Sequence, residues 1–152
     1  MLKELRVRDL ALVAECRVRF GPGLNLLTGE TGSGKSLIVD ALSLTLGGRG
    51  GVDQVRHGAD RATVEGAFES DGTALVLQRE LGKRSTARID GRPAPAEALR
   101  ERGRNLVALH GQHEHHALLD SDTQTELLDG YAGATEKRAA VAASHAVWVA
   151  AG

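Results

Sequence analysis

The chain of 152 residues carries 19 basic and 20 acidic side chains, a net charge of −1, and 41% hydrophobic content. These values fit an ordinary soluble globular protein with a real core, and they exclude a global pull toward nucleic acid or membrane, so any such surface must be local. The single cysteine, Cys16, excludes an internal disulfide, no secretory segment follows Met1, and no apolar run nears membrane-spanning length, which points to the cytoplasm.

In chain order, Leu5 and Val7 alternate with Arg6 and Arg8, and Cys16, Val18 and Phe20 alternate with Arg17 and Arg19. Both stretches predict half-buried strands, joined near Asp9 to Ala14, with Cys16 as a small buried thiol and the arginines on a solvated face. After a Gly21-Pro22-Gly23 turn, the apolar run from Leu24 to Thr28 reads as a third, buried strand. Gly29-Glu30-Thr31-Gly32-Ser33-Gly34-Lys35-Ser36 then matches G-x-x-x-x-G-K-[ST], a phosphate-binding loop. Leu37 to Leu46 is apolar on nearly every side and predicts a helix buried between layers. Strand, glycine loop and helix follow one another in the order that motif requires.

The chemistry of such a loop comes from its geometry. Gly29, Gly32 and Gly34 take backbone angles closed to other residues, so N–H groups from Glu30 to Ser36 converge on one anion. The helix beginning near Lys35 adds its positive dipole end. Lys35 is expected to reach the β- and γ-phosphates, and the Ser36 hydroxyl to hold Mg²⁺. The expected nucleotide-binding residues are Gly29, Glu30, Thr31, Gly32, Ser33, Gly34, Lys35, Ser36 and Leu37.

Beyond the helix, Gly47-Gly48-Arg49-Gly50-Gly51 reads as a flexible linker. Ala62 to Glu69 has β-type alternation, with Val64 and Phe68 on one side if Gly66 is tolerated. Leu75 to Leu81 and Thr86 to Asp90 read as paired strands, Asp90-Gly91 as a turn, and Pro95 to Gly103 as a short helix. Asn105 to His110 predicts a core strand. Ser121-x-x-Gln124 is a capping box for a helix that ends at Gly130, and Thr135 precedes an alanine-rich helix.

Residues 79–104 hold eight basic side chains, Arg79, Lys83, Arg84, Arg88, Arg92, Arg100, Arg102 and Arg104, against Glu80, Asp90, Glu97 and Glu101. Such a segment suits salt-dependent, sequence-independent DNA contact, with Lys83, Arg84, Arg88 and Arg92 as candidates; the alternative is the solvated face of a small sheet. His110, His113, His115 and His116 have a spacing that fits no common zinc module. Gln112 stands just past an apolar run, where an amide can hold Mg²⁺ or orient a water at the γ-phosphate; otherwise it turns a loop. No apolar strand ending in Asp supplies a general base, and no N-K-x-D segment reads guanine.

Leu2 to Val13, Thr28 to Ser36, Leu46-Gly47-Gly48-Arg49, Val55-Arg56-His57-Gly58-Ala59-Asp60 and His110-Gly111-Gln112-His113-Glu114-His115 together resemble the bacterial RecN family of SMC-like DNA repair ATPases. The resemblance covers Met1 to about Tyr131. It implies an α/β P-loop NTPase fold of ABC/SMC head type, with a mixed core sheet and a small antiparallel β lobe that includes about 62–92. Residues 1–131 would form the N-terminal half of the head, and 132–152 the cut-short start of a coiled-coil helix. It further implies ATP and Mg²⁺ as cofactors, Lys35 and Gln112 as catalytic residues, and Ser36 and Gln112 as metal ligands. The implied partners are DNA, the chain's own C-terminal head half and a second head. Arg49 resembles an arginine that related heads place near nucleotide or DNA. The acidic strand and signature motif would come from the other half, so hydrolysis by this chain alone is not expected. A nucleotide-gated interaction module without turnover, and a P-loop kinase, are the alternative readings.

Overall fold

The computed structural model describes residues 1–29, 34–70, 72–109 and 121–151, and divides the chain into two compact units, Met1–Ala108 and Leu109–Gly152. In the first unit, β1 (Leu2–Leu10), β2 (Val13–Arg19), β3 (Arg61–Ser70), β4 (Thr73–Gly82), β5 (Thr86–Ile89) and β6 (Arg92–Ala94) form one six-stranded sheet in the order β2-β1-β3-β4-β5-β6. Helices α1 (Lys35–Thr45) and α2 (Ala96–Arg104) accompany it.

The period-2 pattern decides which sheet face is covered. Leu5 and Val7 of β1, Ala62, Val64 and Phe68 of β3, and Leu77 and Leu81 of β4 are buried on one side, joined by Ala41 and Leu44 of α1. Val13, Cys16 and Phe20 are half-buried against the same core, the last two as their alternation predicts. Gly66 explains how α1 comes so close to the sheet. A Cβ there would stand 2.8 Å from the Phe68 ring and 3.2 Å from Thr45 Cγ2, so the position is tolerated because only glycine fits. The Asp90-Gly91 turn is as expected: both residues have positive φ, 49° and 76°, and Ile89 pairs with Arg92 across them.

Three expectations need correction. The sheet is not mixed: every strand pair among the described residues is antiparallel. The segment at 62–92 is antiparallel as expected, and because β3 pairs directly with β1 the same sheet also takes in the opening hairpin. The runs at 24–28 and 105–109 are not strands. Leu24, Leu26 and Leu27 are 92%, 79% and 45% exposed. An apolar run becomes a strand only when a neighbour completes its hydrogen-bond ladder, and among the described residues neither run has one. For the same reason α1 is not buried all round. Ala41, Leu44 and Thr45 are buried, whereas Val39 stays 49% exposed.

In the second unit, α3 (Ser121–Tyr131) and α4 (Thr135–Ala151) are joined by a turn in which Gly133 has φ 63° and Ala134 N–H donates to Asp129 O at 2.8 Å. The expected N-cap Thr135 is the first helical residue, a shift of one position. Val141 and Trp148 of α4 are exposed, with Trp148 against the His145 ring at 5.8 Å. Among the described residues, no helix is long and apolar enough to cross a membrane.

Candidate functional site

The phosphate-loop motif lies at the start of α1. Asn25 sets its approach: the Gly21 N–H donates to Asn25 Oδ1 at 2.9 Å, and Asn25 Nδ2 donates to Gly21 O and Gly23 O at 2.9 and 3.1 Å. Gly23, with φ 79°, makes the turn. Asn25 therefore organises the approach as a side-chain-pinned turn, a role its place inside an apolar run conceals.

Gly34 has φ 90° and ψ 6°, a left-handed conformation from which α1 begins at Lys35. Gly29 also has positive φ, at 155°. Gly34 has no side chain with which to cap the helix, and the first turn contains no acidic residue. The first intrahelical bond runs from Ile38 N–H to Gly34 O at 3.2 Å. The leading N–H groups and the dipole's positive end thus meet no carboxylate from the helix itself, which is the electrostatic condition for an anion site.

The Lys35 ammonium donates to Gly29 O, at the start of the motif. That contact joins the motif's lysine to its first glycine. Lys35 is half-buried, Ser36 exposed and Leu37 half-buried against the core, where Leu37 anchors the helix. Lys35 and Ser36 are the residue types that hold a triphosphate and its Mg²⁺, and they occupy the first turn together. Glu30, Thr31, Gly32 and Ser33 lie outside the described residues, as do Gln112 and the histidines at 110, 113, 115 and 116.

The far end of α1 is fixed by contacts that the sequence alone does not signal. Thr45 is fully buried and donates its hydroxyl to Ala41 O at 2.7 Å. Gly47, φ 84°, touches the α2 backbone so closely that a Cβ would stand 2.7 Å from both Ala96 O and Arg100 N. Arg100 Nη2 donates to Gly47 O at 3.1 Å, and Gly103 leaves room for Leu46. The glycines at 47 and 48 are therefore packing positions, not a flexible linker.

The eight basic residues of 79–104 do not form one patch. Arg79 points to the core face between Leu77 and Leu81, its Nε buried with no hydrogen-bond partner, and burial pushes its pKa down. Arg100 serves α1. Lys83 and Arg84 are exposed at the β4–β5 turn, Arg92 is exposed in β6, and Arg88 donates to Gly91 O at 3.1 Å. A groove of about 500 Å³ beside that turn is lined by Asp60, Arg61, Glu80, Gly82, Lys83 and Arg84. Arg49 is exposed.

Residues 4–108 match the family model described as "AAA domain". The chain is 41% identical to the DNA repair protein RecN of Halalkalibacterium halodurans over 88% of this chain and 27% of that protein. It is 37% identical to RecN of Bacillus subtilis over the same shares. It spans about 27% of the length of these curated relatives. A structure titled for ATP-driven dimerization and DNA-stimulated activation of SMC ATPases superposes with TM-score 0.63 at 20% identity, over 84% of this chain and 97% of that one, which establishes likeness of fold. The SMC head domain of Thermotoga maritima superposes with TM-score 0.60 at 28% identity, over 66% of this chain and 41% of that one.

Proposed function

Since the chain belongs to the AAA-domain family, as a RecN-like N-terminal head region with an SMC-head fold, we propose that it binds ATP and Mg²⁺ as half of an SMC-like ATPase head acting in DNA double-strand break repair. The observation that carries this reading is the uncapped first turn of α1, with Gly34 in the left-handed region and Lys35 donating to Gly29 O.

In this reading Lys35 exchanges its contact with Gly29 O for the β- and γ-phosphate oxygens, and backbone amides of the loop hold the rest of the charge. Ser36 and Gln112 hold the metal, which when bound neutralises charge on the phosphates. Leu37, packed against the core, keeps the first turn from shifting under that load. Turnover requires a general base and signature motif from the C-terminal head half, and two heads engage around the nucleotides. The exposed Leu24, Leu26 and Leu27 support docking of that complementary half beside the loop. Lys83, Arg84, Arg88 and Arg92 contact DNA phosphates without reading sequence. The protein works in the bacterial cytoplasm.

Titration with a fluorescent ATP analogue tests the site. Binding that needs Mg²⁺ and weakens roughly 30-fold in Lys35→Ala is expected, with no more than trace ATP turnover by the chain alone. Equal affinity in wild type and Lys35→Ala overturns the site assignment. Steady hydrolysis that Lys35→Ala abolishes overturns the half-head assignment instead, because the chain would then hold its own general base.

A further inference from the structure

The outward face of the sheet carries a charged constellation that becomes visible only with the strand register. Arg6 stands directly opposite Arg17 in the β1–β2 ladder, and Glu4 opposite Arg19. Like charges facing one another across a ladder repel. Glu4 resolves the conflict, its carboxylate lying 2.5 Å from Arg6 Nε, 2.7 Å from Arg17 Nη2 and 3.2 Å from Arg19 Nε. The Glu4 side chain is 13% exposed, whereas the three arginine side chains around it are 50–74% exposed. Neighbouring guanidinium groups are engaged in the same way, Arg6 also with Glu65 and Arg8 with Glu15 at 3.3 Å, and Arg61 with Glu80 at 3.2 Å. By contrast, Lys83, Arg84, Arg88 and Arg92 have no carboxylate partner among the described residues.

Carboxylate and phosphodiester oxygens compete for the same guanidinium donors. We propose that Glu4 decides where DNA sits on this chain: by occupying Arg6, Arg17 and Arg19 it withholds the outward face of β1 and β2 from phosphodiesters and confines the duplex to the β4–β5 end of the sheet. The inference rests on the DNA-contact reading above. Three exposed guanidinium groups converging on one point form a polyanion site in all but its occupant, and an open groove of about 470 Å³ runs past Arg6, Arg8 and Arg17. The Glu4 carboxyl is pushed down to about 2, first by hydrogen bonding from Arg17, against the opposing effect of burial, so its charge is present throughout the neutral range.

The test is fluorescence anisotropy of a short duplex over a salt series, with the full chain and its variants. Glu4→Gln is expected to tighten binding about 10-fold at low salt and to steepen the salt dependence by roughly two phosphate contacts. Adding Arg17→Gln and Arg19→Gln to that variant removes the gain. Glu15→Gln, which releases Arg8, gives a smaller one. If Glu4→Gln does not fold, Glu4→Asp keeps the charge but draws the carboxylate back from the three donors, and an intermediate gain is expected. A wild type that binds duplex and a folded Glu4 variant that binds identically overturn the inference and leave the DNA-contact reading intact. A wild type that does not bind while Glu4→Gln does overturns that reading together with the confinement to the β4–β5 end, and upholds only the withholding of β1 and β2 by Glu4; if neither binds, both fall.

Discussion

The two ends of α1 are finished in opposite ways. At its C-terminal end the protein's own atoms complete every demand: Thr45 bonds to Ala41 O, Gly47 lies on the α2 backbone, and Arg100 supplies a hydrogen bond to Gly47 O. At its N-terminal end Gly34 offers no cap, the first turn has no acid, and Lys35 reaches back to a loop carbonyl. One end of the helix is built as scaffold and the other is left uncapped, at the site proposed for the nucleotide. A ligand can then bind at the open end without the helix losing its seat, because the seat lies at the other end, three turns of hydrogen bonds away.

Substitutions at the two ends should separate stability from binding. The largest effect is expected at the closed end. Gly47→Ala must hold alanine at positive φ and force apart backbone atoms 2.7 Å from its Cβ, at a cost of about 3 kcal/mol. Chemical denaturation should show that loss, and an unchanged midpoint would mean that α1 and α2 are not joined there. Lys35→Ala acts at the open end, where losing a charged hydrogen-bond donor costs about 2 kcal/mol of nucleotide affinity, or roughly 30-fold. Its melting temperature should stay within a degree or two of wild type, which differential scanning fluorimetry without nucleotide can check. Arg100→Met keeps most of the side-chain bulk and removes the bond to Gly47 O, worth about 1 kcal/mol of stability. Nucleotide affinity should not change, and a parallel loss would show the two ends to be coupled.

The smallest effect concerns acid. Glu4 has its carboxyl lowered from 4.5 to about 2, so its contribution to stability is present above about 4.5 and is lost as pH falls through about 2. Urea midpoints measured across that window should fall more for wild type than for Glu4→Gln. Parallel curves would show that the arginines around Glu4 add nothing to the folded state.

What was readable in the sequence divides by range of interaction. β1 and β2, the Asp90-Gly91 turn and the Pro95 start of α2 depend on neighbours a few residues away, and local pattern suffices for them. The start of α1 at Lys35 is legible for the same local reason, since left-handed Gly34 stands immediately before it. Leu24 to Thr28 and Asn105 to Leu109 have strand-like composition, but a strand is a property of two segments, and the second is not visible in the first. Gly47 reads as linker until α2 is seen against it, and the eight basic residues read as one patch until alternation sends Arg79 to the core face and Arg88 outward. Glu4 was invisible for a related reason: its three partners sit two, thirteen and fifteen positions along the chain, and only the antiparallel register gathers them. The assignments to Gln112 and to Glu30, Thr31, Gly32 and Ser33 lie outside the described residues.

β2 ends the sheet, so the row of backbone donors and acceptors along its outer margin has no ladder partner there among the described residues. Such a margin is a template on which another chain's strand can add, the first step toward fibrillar deposits. Arg17 and Arg19, besides gripping Glu4, space positive charge along that strand, and a second copy approaching it margin to margin would bring its own pair against them. The same side chains that neutralise one face therefore also guard the molecule against sticking to itself.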